Sequence, residues 1–215
     1  MLDTPTVFVV DDDPSVRGSL ELLIRSQGWQ PETFESAEAF LSRPRSQVSS
    51  CLVLDVTLPD LNGLDLQKMI ADEPLEMPII FITGYGDVPM TVQAMKAGAI
   101  EFLTKPFSSE VLLRAIRLAI ERSAAARARE GAMRELRECH ASLSRREREV
   151  MVLVIAGLLN KQVGGELGIS EITVKSHRGQ VMRKMKADSL ADLVSMGAKL
   201  QLAPAGRHRR HRAVE

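Results

Sequence analysis

The chain has 215 residues, enough for one large domain or two ordinary ones. A net charge of zero hides 9 Lys/Arg against 17 Asp/Glu in residues 1–120 (net −8) and 19 against 11 in residues 121–215 (net +8), so the second half is the part suited to a polyanion. Two distant cysteines, Cys51 and Cys139, suggest reduced thiols rather than a disulfide framework, and no apolar stretch approaches the roughly 20 residues of a membrane span. With no signal peptide legible at Met1-Leu2-Asp3, a cytoplasmic protein without membrane partners is expected.

Val7, Phe8, Val9 and Val10 form an apolar run of strand length that ends in Asp11, Asp12 and Asp13. Asp13 before Pro14 predicts a helix N-cap with proline at the first helical position. Val16, Leu20, Leu23 and Ile24 follow at helical spacing, and Gly28 marks the end. A short strand is predicted near Trp29 to Phe34, then a helix capped by Ser36 through Ala39, Phe40 and Leu41. Leu52, Val53 and Leu54 run into Asp55; Pro59 to Gly63 predict a turn, and Leu64, Met69 and Ile70 a third helix. Ile79 to Ile82 run into Thr83, Val88, Val92 and Met95 mark a helix stopped at Gly98, and Phe102 to Thr104 run into Lys105-Pro106. Ser108 caps a fifth helix whose apolar side is assigned to Val111, Leu112, Ala115, Ile116 and Leu118. Five strand–helix units of about 24 residues predict an α/β fold, a doubly wound parallel five-stranded sheet of flavodoxin-like order.

In such a sheet the carboxyl ends of the strands face one crevice. Asp11, Asp12, Asp55, Thr83 and Lys105 would therefore meet there. One acid after a strand is commonly just a cap, but Asp11 and Asp12 cannot both cap the same helix. Clustered carboxylates repel one another unless a cation sits among them, and hard oxygens favour Mg²⁺. Asp55 would be a nucleophile of low basicity, suited to a labile aspartyl phosphate.

This set resembles the receiver domain of two-component response regulators. Asp87-Val88-Pro89-Met90 and Met95-Lys96-Ala97-Gly98-Ala99 are similar to the FixJ subgroup, which includes regulators of styrene-type catabolism and of nitrogen fixation. The resemblance implies that Asp55 takes a phosphoryl group from a sensor histidine kinase. Asp12, Asp55 and the Thr57 carbonyl would hold Mg²⁺, with Asp11 acting partly through water, and Lys105 would pair with Asp55 and then with phosphoryl oxygens. It also implies a cis Lys105–Pro106 bond, a hydroxyl bond from Thr83, and an inward movement of Phe102. The face from Val88 to Ile120 would then join two copies into a homodimer.

Residues 122–142, rich in Ala, Arg and Glu, predict a helical linker between a receiver over 1–121 and a second domain over 143–202. Ser144 to Glu147 form a capping box before Val150, Leu153 and Val154, and Gly157 ends that helix. Asn160 is expected to cap a short helix from Lys161 to Leu167, broken at Gly168, and Ser170 a longer one from Glu171 to Met185. That pair predicts a helix-turn-helix in an all-α, four-helix domain. Val174, His177, Val181 and Met185 share one stripe, with His177 as a packing residue, which leaves Lys175, Ser176, Gly179, Gln180 and Arg183 opposite. Leu190, Leu193 and Val194 mark a last helix, and 203–215 a basic, disordered tail.

Leu143-Ser144, Arg146-Glu147, Glu149-Val150, Asn160-Lys161 and Thr173-Val174-Lys175, followed by His177, resemble the LuxR/NarL-type output domain. The resemblance implies double-stranded operator DNA and RNA polymerase as partners. Lys161 and Arg178 would lie on phosphates, Lys175, Ser176 and Gly179 nearest base edges, and Arg183 farther along the same face. Two departures stand out: Val163-Gly164-Gly165 puts two glycines in the short helix, and Leu190 replaces the family's arginine. An aspartyl-phosphate hydrolase is the rival class, but its nucleophile and acid usually share one strand. A DNA binder with a vestigial receiver would not need the complete set of acids, Thr83 and Lys105.

Overall fold

The computed structural model describes residues 4–44, 46–59, 61–70 and 77–202. The tail over 203–215 and Asp60 of the predicted turn lie outside the described residues. The chain divides into two compact bodies, residues 1–129 and 130–215. Among the described residues no helix is long and apolar enough to cross a membrane.

In the first body, elements alternate: β1 (Thr6–Val10), α1 (Pro14–Ser26), β2 (Gln30–Phe34), α2 (Ala37–Leu41), β3 (Ser50–Asp55), α3 (Gly63–Ile70), β4 (Ile79–Thr83), α4 (Val88–Lys96), β5 (Glu101–Thr104) and α5 (Ser109–Ala141). The strands form one parallel sheet in the order β2-β1-β3-β4-β5. The apolar runs explain the centre, since β1, β3 and β4 are buried throughout. Alternation divides their side chains between two cores. Phe8, Leu52, Leu54 and Phe81 face α2 and α3 residues such as Phe40 and Leu66, whereas Val7, Val9, Val53 and Ile80 face Leu20, Ile24, Leu112 and Ile116 of α1 and α5. The more polar β2 takes an edge.

Asp13 caps α1 by accepting from the Ser15 amide at 2.8 Å, and Gly28 adopts φ +78° just beyond its end. Two helix faces differ from expectation. Val88 is 75% exposed, and Val92 and Met95 are exposed with it; Ala94 is the buried residue of α4. In α5 the buried residues are Leu112, Ala115, Ile116, Ala119 and Ser123, an i, i+3, i+4, i+7, i+11 stripe, so Leu118 falls on the other side and is 58% exposed.

The linker is part of α5, which runs unbroken to Ala141. The first body keeps hold of it beyond residue 121. The Ser50 amide donates to Ser123 Oγ at 3.1 Å, and the Arg127 guanidinium donates to the Gln47 carbonyl. The division between the bodies accordingly falls inside α5, after Arg129.

The second body contains the end of α5, then α6 (Arg145–Ile155), α7 (Asn160–Leu167), α8 (Glu171–Lys184) and α9 (Leu190–Lys199). They enclose Leu143, Val150, Met151, Val154, Val163, Val174, Val181, Met185 and Leu193. The capping box at Ser144 and Glu147 forms, and Ser170 and Ser189 cap α8 and α9. Asn160 is not a cap. It is the first residue of α7, and the Gln162 side chain accepts from the Leu159 amide at 2.8 Å instead. This frees Asn160 Oδ1 to accept from Arg178 at 3.2 Å.

The two adjacent glycines of α7 differ in kind. A Cβ on Gly164 would lie 2.7 Å from the Ile169 carbonyl oxygen, so α7 can approach the turn before α8 only without a side chain there. A Cβ on Gly165 would meet nothing within 4 Å. Gly165→Ala should therefore raise the stability of the second body by about 1 kcal/mol through helix propensity. Gly164→Ala should lower it by about 1–3 kcal/mol through overpacking. Urea unfolding followed by circular dichroism separates the two, and equal tolerance of both substitutions would contradict the packing argument.

Candidate phosphoacceptor site and nucleic-acid interface

Parallel register aligns the strand ends: Val10 pairs with Leu54, Asp55 with Ile82 and Thr83 with Thr104. Asp11 leaves β1 and Lys105 leaves β5 at the same edge. Lys105 Nζ donates to Asp11 Oδ2 at 2.7 Å and to Asp55 Oδ2 at 2.6 Å. The remaining oxygens are also held. Asp11 Oδ1 accepts from the Asp13 amide, and Asp55 Oδ1 from the Thr57 amide, both at 2.9 Å. The Lys105–Pro106 peptide is cis.

Asp11 and Asp55 are buried and Asp12 is exposed. Burial pushes the Asp11 carboxyl above its usual value, against the pull of its hydrogen bond from Lys105. For Lys105 burial disfavours the charge, but the two carboxylates together outweigh it and raise its pKa. Carboxylate oxygens of Asp11, Asp12 and Asp55 all lie within 4.8 Å of one another. Three acids against one ammonium leave negative charge in excess, and an all-oxygen donor set suits a hard divalent cation. The residues fit such an ion.

Thr83 is buried, and its hydroxyl lies within hydrogen-bonding distance of Tyr85, accepting from the amide at 3.1 Å and donating to the carbonyl at 3.3 Å. It is thus tied to the β4–α4 loop. Phe102 is half-buried, with its ring 6.1 Å from that of Phe81.

Two residues of this site were not anticipated. Arg17 Nη1 donates to the carbonyls of Asp11 at 2.6 Å and Asp12 at 2.9 Å, holding the acidic loop from α1. A Cβ on Gly63 would lie 2.6 Å from the Asp55 carbonyl oxygen, so this glycine lets α3 start directly behind Asp55. An arginine four residues after an N-cap is a weak signal, and Gly63 was legible only as a turn residue.

In the second body α8 buries Val174, Val181 and Met185 follows them, with His177 half-buried. Lys175, Ser176, Gly179 and Arg183 are exposed on the opposite side, as is Lys161 on α7. Lys175 pairs with Glu171 at 3.1 Å, in an exposed i,i+4 arrangement of small energetic weight. Arg178, half-buried, is held by Asn160.

Glu147 does more than close a capping box. Its Oε2 accepts from the Ser144 amide at 2.7 Å and from Lys184 Nζ at 2.6 Å, which joins the start of α6 to the end of α8. Lys184 holds the Glu147 carboxyl below its ordinary value of 4.5. A lowered folded pKa contributes stability that is present above 4.5 and disappears as pH falls through the folded value. Glu147→Gln should thus destabilise the second body by about 1–3 kcal/mol at neutral pH and by less in acid. Urea titrations at both pH values check this, and a pH-independent difference would count against it.

Comparison with known proteins agrees with this geometry. Residues 7–117 match the response regulator receiver domain, and residues 141–197 match the bacterial regulatory proteins of the luxR family. The chain belongs to the response regulators with a LuxR-type output domain. It is 51% identical over 197 residues to nodulation protein W of Bradyrhizobium diazoefficiens, covering 92% of this chain and 87% of that one. It is 46% identical over 195 residues to the response regulator protein TodT of Pseudomonas putida, covering 91% and 86%. The solved structure of the response regulator StyR matches with a TM-score of 0.83 at 48% identity, over 92% of this chain and all of that one. In this response regulator the acid pocket is therefore in the receiver and the exposed face of α8 in the LuxR-type domain.

Proposed function

We propose that a sensor histidine kinase phosphorylates this response regulator on Asp55 and that the phosphorylated protein pairs with a second copy and binds operator DNA through α8. The observation that carries this reading is the Lys105 ammonium set between Asp11 and Asp55, at 2.7 and 2.6 Å. Lys105 lowers the cost of bringing a phosphoryl group's negative charge to Asp55 and is placed to follow that charge once it is attached. Asp55 attacks the phosphorus of the kinase phosphohistidine in line, and the P–N bond breaks as the new P–O bond forms. Mg²⁺, held by Asp12, Asp55 and the Thr57 carbonyl with Asp11 partly through water, would supply charge neutralisation for the phosphoryl oxygens. The chain's own chemistry is confined to gaining and hydrolysing this aspartyl phosphate.

Thr83 transmits the change. To hydrogen-bond a phosphoryl oxygen its hydroxyl must leave Tyr85, which releases the β4–α4 loop. Phe102 moves into the vacated space, and the face bearing Tyr85, Val88, Val92, Met95 and Leu118, all exposed, is remodelled to pair with a second copy. Paired output domains then meet a two-fold operator, with Lys161 and Arg178 on phosphates, Lys175, Ser176 and Gly179 near base edges and Arg183 beyond them. RNA polymerase is the further partner, and the cytoplasm the compartment.

Selection of bound fragments from random DNA, with and without acetyl phosphate, tests the whole reading. Recovery of one two-fold sequence only after phosphorylation is expected. Lys175→Ala should weaken binding to it by about 1–3 kcal/mol and relax preference at one position of each half-site. An even loss across sequences, with a salt dependence reduced by about one unit, would make Lys175 a phosphate contact instead. Unaltered affinity and specificity would remove α8 from the groove.

A further inference from the structure

Ile172 is 80% exposed on the second residue of α8, where it contributes nothing to the core of its own domain. Local reasons do not account for it either. A β-branched residue is a modest helix former, and the positive end of a helix favours an acid in its first turn. At 100° per residue, Ile172 lies on the same face as Lys175, Ser176, Gly179 and Arg183, all exposed. A large apolar group thus heads a face that is otherwise small or cationic. The acid beside it, Glu171, lies about 100° round the helix from Ile172, so the charged groups on this face itself are the cations Lys175 and Arg183. Its charge complements a polyanion. The N-terminal residues of a recognition helix are those that meet base edges, and the one apolar group that B-DNA presents in the major groove is the thymine 5-methyl.

We infer that Ile172 reads a thymine 5-methyl group in each half-site of the operator, which rests on the proposal that α8 enters the major groove. Lys175 and Ser176 then recognise polar base edges one helical turn farther on, and Ile172 excludes water from the methyl beside them. The substrate class is duplex DNA with a thymine at one specified position, and a base there without the 5-methyl binds more weakly.

A thermodynamic cycle between protein and base tests this without altering anything else. The full chain, activated with beryllofluoride, is titrated with its selected operator, in which thymines are replaced one at a time by deoxyuridine. That change removes only the methyl. At one position per half-site the replacement should weaken binding of the parent about fourfold, the worth of about one methyl group withdrawn from water. The same replacement should leave Ile172→Ala unaffected, and Ile172→Ala should itself bind the thymine operator about fourfold or more weakly. Because Ile172 is exposed, its alanine variant should keep the parent's circular dichroism and melting temperature. An operator with no position where deoxyuridine matters, or equal effects of each replacement on parent and variant, would overturn the inference. If Lys175→Ala weakens binding while the cycle shows no coupling, only the methyl contact is lost. If neither Lys175→Ala nor Ile172→Ala changes affinity, groove entry by α8 fails and this inference fails with it.

Discussion

Asp55→Asn should leave the chain folded and unable to acquire an acyl phosphate. The asparagine carbonyl can still accept from the Thr57 amide, and Lys105 retains Asp11 as its counterion. One negative charge disappears from a pocket that holds three acids and one ammonium, so stability should stay within about 1 kcal/mol of the parent. Phosphate uptake should fall to background, because the remaining acids are badly placed to replace the nucleophile. Asp11 is fully buried, and its two oxygens already accept from Lys105 and the Asp13 amide, while Asp12 is exposed at the rim with no hydrogen bond from Lys105 to orient it. Acid-quenched incorporation from acetyl phosphate reads the loss directly. Sedimentation with beryllofluoride reads its consequence: the parent should shift to a dimer and the variant should not. Stoichiometric phosphate on Asp11 or Asp12 of the variant would overturn the assignment of Asp55.

Lys105→Ala should separate the two halves of the switch. Phosphate uptake should survive in reduced form, since Lys105 attacks nothing, whereas phosphate-dependent DNA binding should be lost. Lys105 reaches the acids by its ammonium and is tied to β4 by its amide, which donates to the Thr83 carbonyl at 2.7 Å. Without it, negative charge gained at Asp55 has no mechanical link to the last strand. The variant should also be less stable at neutral pH by about 1–3 kcal/mol, because a buried Asp11 keeps its charge without its partner. The sign with pH is defined. Asp11 already has a folded pKa above 3.8, so folding favours its protonated form. The deficit of Lys105→Ala should therefore shrink as pH falls toward 3.8, where a neutral Asp11 needs no ammonium. Thermal melts over that range, with acyl-phosphate yield and operator affinity measured in parallel, check each part. Normal phosphate-dependent DNA binding in the variant would defeat the relay.

Much of this protein is written locally. The apolar runs at Val7, Leu52 and Ile79 predict the central strands, because a strand buried on both faces must be apolar throughout. Asp13, Ser36, Ser144 and Ser170 announce helix starts, since a cap acts within three residues of itself. Asp11, Asp12, Asp55, Thr83 and Lys105 are legible as a group because parallel topology brings every strand's carboxyl end to one edge. These inferences need only periodicity, caps and a rule of connectivity.

The tertiary structure decided what depends on approach and direction. Val88, Val92 and Met95 have helical spacing, yet spacing cannot say which side of α4 meets the sheet; Ala94 and not these three is buried. Leu118 is as apolar as Leu112, and only packing against the sheet turns it outward. Gly164 and Gly165 are indistinguishable as neighbours in the chain, and a carbonyl at Ile169 makes one necessary and the other free. Arg17 holding the acidic loop and Lys184 tying Glu147 to α8 join residues through space, where no local pattern records them. Residue type and period follow from chain chemistry, whereas the facing of a helix and the partner of a charge depend on which surfaces fold against each other.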